Sequence, residues 1–209
     1  IRDRYRVLVI LTTFAMLGGL MILPDTFTFT MVYMEKNATS TNVRIYEESE
    51  KNFLISAVGI GTLLGMYPYT WLLSLFGARH VVFITGVFSA GLNCFLPFIL
   101  DHSYPAAIVA RVVQGVLYAA DFSAIGLVVS RWVPVDETGL ALAVLWTFPF
   151  MKSLVQMPVA STILGLAGWR AVFYAMSGIT FSLSLLWLLV YRDDPAESIA
   201  TKRELERIR

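Results

Sequence analysis

Six stretches of the chain are apolar for long enough to cross a bilayer, and short polar or turn-forming segments separate them. A hydrocarbon core takes about 20 apolar residues of helix at about 1.5 Å rise each. The pattern predicts spans over 5–34, 52–74, 80–100, 104–130, 138–164 and 169–191. Between the first two lies a polar stretch, 35–51, carrying Asn37, Thr39, Ser40, Thr41, Asn42 and the glutamates Glu47, Glu48 and Glu50. Asp101-His102-Ser103 is a tight link between spans three and four, and Trp132 to Glu137 forms a turn with Pro134 as its breaker. Gly77 and Gly168 read as turn residues. From Arg192 the chain becomes polar, which divides it into a six-helix bundle, 1–192, and a polar segment, 193–209.

Composition narrows the class. The 209 residues are 57% hydrophobic and 15% charged, with a mean hydropathy of +0.68. Soluble domains carry about 45–50% apolar and about 25% charged residues. The 14 Phe, 9 Tyr and 5 Trp exclude disorder. A lone cysteine, Cys94, excludes a disulfide scaffold and reads as a small apolar packing residue. A net charge of +1 offers no basic patch, so no nucleic acid partner is expected. The expectation is an all-α membrane protein with the lipid bilayer as its surroundings. The first apolar run, Val7 to Pro24, lacks a small-residue cleavage site and continues through Met34, so it reads as a span. The opening Ile1 and the charged helical pattern of Lys202 to Arg209 suggest a piece of a longer chain.

Lys and Arg set the orientation. One group of ends holds Arg2, Arg4, Arg6, Arg79, Arg131, Arg192, Lys202, Arg203, Arg207 and Arg209, while the other holds Lys36, Arg44, Lys51 and Arg170. The first group is expected on the cytoplasmic side, which puts both chain ends inside. Asn37-Ala38-Thr39 is a glycosylation sequon and falls in the first outside loop. Arg170 is the loop charge that runs against the rule.

Four charged residues lie well within the spans: Asp25, Arg111, Asp121 and Lys152. Each costs roughly 2.5–3.5 kcal/mol at a helix centre on insertion scales. Such residues face a bundle interior, where they form structural ion pairs, or line an aqueous path. Arg111 and Asp121 are ten residues apart, so they share a helix face at about 15 Å and need separate partners. Asp25 follows Pro24, and Lys152 lies between Pro149 and Pro158, both on kinkable helices. A cavity lined by spans one, four and five would account for all four. Gln114 and Tyr118 lie on the same helix between Arg111 and Asp121, Gln114 as an interhelical hydrogen-bonding group and Tyr118 as core packing or a pathway residue. Gly61 and Gly65 form a G-x-x-x-G, and Gly86 with Ala90 repeats the spacing, which signals close helix packing.

The motifs of catalysis are missing: there is no H-E-x-x-H, G-x-S-x-G, P-loop or dinucleotide fingerprint. His80 and His102 fall on opposite sides of the membrane and cannot share a metal. No catalytic residue, metal or cofactor is expected.

Ala110-Arg111-Val112-Val113-Gln114-Gly115, followed by Ser130-Arg131-Trp132-Val133-Pro134 and Glu137, resembles the pattern R-x-x-Q-G…S-R-W-x-P-x-x-E of the major facilitator superfamily. More narrowly, it is similar to the anion:cation symporter family, which includes sialin, the vesicular glutamate transporters and the type I sodium–phosphate transporters. Gly168-Trp169-Arg170-Ala171-Val172-Phe173-Tyr174 matches that family's G-W-x-x-V-F-Y, and Asp194-Pro195-Ala196-Glu197 matches its exit into the cytoplasm. The resemblance implies two three-helix inverted repeats forming the N-terminal half of a twelve-helix transporter, with 193–209 as the start of the cytoplasmic linker. Departures are visible. The loop motif G-x-L-x-D-R-x-G-R-[KR] between spans two and three keeps Gly77 and Arg79, but has Thr70 for its first glycine and Ser74 for its acid. No arginine stands near Pro24 and Asp25 in the first span. Tyr118 stands where the family often has a glutamate implicated in proton coupling, with Asp121 one turn on.

The resemblance implies secondary active transport of a small organic or inorganic anion with a coupling proton or sodium ion, in the plasma membrane or a lysosomal or vesicular one. Arg111 and Lys152 would then attract the anion, and Asp121 or Asp25 the cation. A second six-helix half is the implied partner. The alternative is a regulatory or receptor-like protein that keeps the fold without transport.

Overall fold

A computed structural model describes residues 4–36 and 47–194. The described residues form seven α-helices that make six membrane-length spans: α1 (Arg4–Lys36), α2 (Glu48–Phe76), α3 (Ala78–His102), α4 (Tyr104–Trp132), α5 (Thr138–Leu145) with α6 (Phe148–Ala167), and α7 (Trp169–Val190). The sequon at Asn37 and the segment from Pro195 onward lie outside the described residues.

The fifth span, expected as one helix, is two. Pro149 has no N–H, and its ring opposes the carbonyl four residues back, at Leu145. The helical ladder breaks there. Trp146 still donates to the Leu142 carbonyl (2.8 Å), but Thr147 tightens onto Val144 (3.1 Å), and α6 restarts with Phe150 and Met151 donating to the Thr147 carbonyl. Pro24, Pro68, Pro97 and Pro158 sit inside unbroken helices. The remaining turns are sharp. Gly77 (φ 77°, ψ 165°) and Gly168 (φ 82°, ψ 176°) take up backbone conformations open almost only to glycine. At the far end of α3, Asp101 pairs with Arg170 at 2.6 Å, and the guanidinium also covers the Trp169 ring. The charge that runs against the orientation rule is thereby neutralised.

Helix neighbours repeat between the two halves of the bundle. α2 packs on α4 as α5 and α6 pack on α1, α3 packs on α4 as α7 packs on α1, and α3 and α7 pack on each other. This is the neighbour pattern of two three-helix units related by a pseudo-twofold axis. The tightest seam joins α2 to α4. A Cβ added to Gly61 would lie 3.0 Å from Gly115 Cα, one on Gly65 would lie 2.8 Å from Ala119 Cβ, and one on Gly115 would lie 2.9 Å from Val58 Cα. Only glycine lets these main chains touch, which is how helices associate where lipid removes any hydrophobic drive. Thr62 adds a hydroxyl bond to the Gly115 carbonyl (3.2 Å).

Buried apolar side chains form separate clusters toward the two ends of the bundle. One gathers Leu23, Phe27, Leu96, Leu164, Trp169 and Phe173, while the others gather Leu73, Val128, Trp132 and Trp187 around one patch and Leu17, Ile125, Leu145 and Phe148 around another. Between them runs a belt of buried polar residues: Asn93, Arg111, Gln114, Lys152, Gln156 and Ser177.

Candidate functional site

Arg111 anchors this belt from α4 and is 1% exposed. Its Nε donates to the Leu54 carbonyl of α2 (3.2 Å). Its Nη1 donates to the Pro24 carbonyl of α1 (3.1 Å) and to Gln114 Oε1 (2.7 Å). The guanidinium also stands 4.3 Å from the Phe27 ring centroid. Gln114, fixed by Arg111, donates to Asn93 Oδ1 of α3 (3.3 Å), and Asn93 in turn donates to Ser177 Oγ (3.1 Å) and the Phe173 carbonyl (3.2 Å) of α7. One chain of hydrogen bonds thus ties five helices together. Planar, multiply donating arginine suits this work, because it reaches several carbonyl acceptors at once.

The second cluster joins α1 to α6. Lys152 forms an ion pair with Asp25. The ammonium side chain is 4% exposed, whereas the carboxylate side chain is 44% exposed. Behind the pair, Gln156 Oε1 lies 3.5 Å from Lys152 Nζ, and Gln156 Nε2 donates to the Ile22 carbonyl (3.2 Å). Gly18 leaves room for the lysine stem, since a Cβ there would lie 3.5 Å from Lys152 Cβ.

Asp121 is fully buried on α4, and neither of its oxygens has a hydrogen-bonding partner among the described residues. Ile125, one turn on, packs with Leu17 and Phe148. Tyr118 is half-buried and meets the Phe122 ring edge-on at 5.4 Å. Phe122 in turn lies 6.0 Å from Trp146 at the break between α5 and α6. Of the four intramembrane charges expected around spans one, four and five, Asp25 and Lys152 pair with each other, Arg111 donates to two carbonyls and Gln114, and Asp121 has no hydrogen-bonding partner among the described residues.

The loop residues Gly77 and Arg79 belong to a separate cluster at one end of the bundle. Asp193, just beyond α7, accepts from the main-chain N–H groups of Ala78 (2.7 Å) and Arg79 and so caps α3. Arg131 of α4 pairs with the same carboxylate at 3.2 Å. The Arg79 side chain donates twice to the Leu188 carbonyl, and Trp187 Nε1 donates to the Arg79 carbonyl. Ser74, at the acidic position of the loop motif, bonds only locally, to the Trp71 carbonyl. An acidic group does reach this loop, but it comes from 115 residues away. The Tyr191 phenol is buried beside Asp193, and both effects hold its pKa above the ordinary 10.0.

Sequence reasoning missed Asn93, Gln156, Ser177 and Asp193. Each is a common polar residue in an unremarkable setting, and only Gln156, four residues after Lys152 on one helix face, carried a readable signal.

The comparisons bear on the whole chain. The family model for the Major Facilitator Superfamily matches residues 7–207. The chain is 26% identical over 161 residues to a probable galactarate/D-glucarate transporter of Escherichia coli (strain K12), covering 75% of this chain and 36% of the relative. It is 25% identical over 158 residues to sodium-dependent phosphate transport protein 3 of Mus musculus, covering 75% and 33%. It is 23% identical over 163 residues to vesicular glutamate transporter 1 of Xenopus laevis, covering 75% and 28%. The chain thus spans about a third of the length of these relatives, which are named as transporters rather than enzymes. With six apolar spans in two similarly packed units, the chain belongs to the Major Facilitator Superfamily.

Proposed function

We propose that these residues form the N-terminal half of a twelve-helix secondary transporter that moves a small anion with a proton or sodium ion by alternating access. The observation that carries the reading is the Lys152–Asp25 pair, a cation and an acid set across two helices at mid-bundle, with the acid open to the surroundings. A carboxylate 44% exposed at mid-membrane is costly against lipid. A second six-helix half facing it would enclose an aqueous site there. The relatives' printed names, which include phosphate, glutamate and glucarate, favour an anionic cargo. Arg111 holds the helices around the site and supplies positive potential to it. Asp25 and Asp121 are the acids available to a coupling cation. Both ends of the chain lie in the cytoplasm in this reading, and Asn37 is a glycosylated residue of the first outside loop.

Reconstituting the full-length protein in liposomes tests this. Uptake of labelled glucarate, glutamate, urate or phosphate that rises with an imposed proton or sodium gradient, and falls at least tenfold in Lys152→Gln, is the expected result. Folded wild-type protein that carries none of the four under either gradient would favour the regulatory alternative.

A further inference from the structure

The two cations of the mid-membrane belt are held differently. Arg111 is bound by two main-chain carbonyls, an amide oxygen and an aromatic face. Those partners are neutral and fixed in the helices, so Nε and Nη1 turn to an arriving anion only by giving up bonds to Leu54, Pro24 or Gln114. Lys152 is bound by a carboxylate and by one long contact to Gln156. Its ammonium is buried behind Asp25, and Asp25 is the open side of the pair. Only by moving Asp25 aside does anything from the open side reach the ammonium.

Asp25 is placed to move. Pro24 immediately before it has no N–H, so the Leu20 carbonyl loses its helical donor at this turn of α1. The Lys152 ammonium keeps its contact to Gln156, which is itself fastened to the Ile22 carbonyl. The ammonium therefore stays while the carboxylate leaves. The other charged group acting on this turn is Arg111, whose Nη1 donates to the Pro24 carbonyl.

We propose that Asp25 is a resident stand-in for the cargo: an organic anion binds by presenting a carboxylate to Lys152 and displacing the Asp25 side chain from it. The inference rests on the transport reading above and names its substrate class. A single lysine is a point charge with three donors, which suits one carboxylate. A phosphate group carries more charge and more acceptors than one ammonium satisfies, and its bidentate recognition is the work of a guanidinium fork. The only free cation that displacement of Asp25 creates is Lys152, so the cargo group it accepts is a monoanionic carboxylate. The exchange is non-covalent and leaves the charge on Lys152 compensated throughout.

The test uses the full-length protein and two probes, sodium acetate and sodium phosphate, at ionic strength matched with sodium chloride. Asp25→Ala removes the stand-in and leaves the ammonium without its acid. Acetate is expected to raise the thermal unfolding midpoint of Asp25→Ala by roughly 2 °C or more, leaving the wild type unchanged. The double variant Asp25→Ala with Lys152→Met is expected to ignore acetate, and phosphate is expected to shift neither. If Asp25→Ala is too unstable to melt, the same comparison is read as recovery of monodisperse protein extracted with and without acetate. A single variant indifferent to acetate, or a double variant that responds equally, overturns the exchange, and an equal response to phosphate overturns the substrate class. Wild-type uptake alongside an acetate-indifferent variant refutes the exchange and leaves transport standing, whereas an acetate response without uptake of any anion does the reverse.

Discussion

The seam between α2 and α4 and the seam between α1 and α6 occupy related places in the two three-helix units, yet they close by opposite means. Gly61, Gly65 and Gly115 bring α2 and α4 into main-chain contact, helped by Thr62 and by the Arg111 bond to Leu54. Across α1 and α6 the contact is an ion pair backed by an amide, with a glycine only at Gly18. In lipid neither seam gains from apolar burial, so each needs close packing or polar bonds. The first kind has no second arrangement to adopt. The second has one for every anion able to replace Asp25. A bundle that carries both seams has a fixed pair of helices and an exchangeable pair.

Five substitutions break or sharpen that contrast. The largest effect is expected from Asp25→Ala or Lys152→Met alone, because removing one partner strands the other charge; roughly 3–5 kcal/mol is the cost in a fully buried pair, and the exposure of Asp25 brings it lower here. The cost is expected to be unequal. Asp25→Ala strands the buried lysine, whereas Lys152→Met leaves an acid that is half open, so the first should lose more folded protein on heating. Equal losses would remove the asymmetry on which the exchangeable seam depends. Next, Gly115→Ala drives a Cβ into the main chain of Val58, with overpacking worth about 1–3 kcal/mol, whereas Gly18→Ala meets Lys152 Cβ at ordinary contact distance and costs little. Thermal unfolding of the two variants side by side measures the contrast directly. A smaller effect is expected at the end of the bundle. Asp193→Ala removes the cap on α3 and the Arg131 partner, at about 1 kcal/mol, without altering either seam.

The end cluster also predicts a pH dependence. Burial beside Asp193 raises the Tyr191 pKa above 10.0 in the folded protein. The folded state therefore keeps its phenolic proton where the unfolded chain loses it. Below pH 10 this group has no effect on stability, and above pH 10 it destabilises the fold progressively until the folded phenol ionises as well. Tyr191→Phe should flatten that alkaline decline.

The spans were legible because hydrophobic length needs no partner to be read, and Gly61 and Gly65 announced a close seam through their spacing. The split of the fifth span was not, since Pro24, Pro68, Pro97 and Pro158 all sit in continuous helices while Pro149 breaks one. Whether a proline bends or breaks a helix depends on the neighbours that pick up its freed carbonyl, and those are tertiary. The intramembrane charges could be listed from the sequence but not paired. Asp25 and Lys152 are 127 positions apart, and nothing local distinguishes a charge that meets its complement from one, like Asp121, that does not. Asp193 was unreadable for the same reason, as its N-capping partner lies at the start of a different helix.

The most direct test of the exchangeable pair replaces both of its members at once. Asp25→Leu with Lys152→Met strands neither charge, and apolar replacement of a buried ion pair is often neutral for stability. The full-length double variant should therefore fold and insert as the wild type does, yet show no gradient-driven uptake of the anion the wild type carries. A double variant that folds and transports at the wild-type rate would contradict the account.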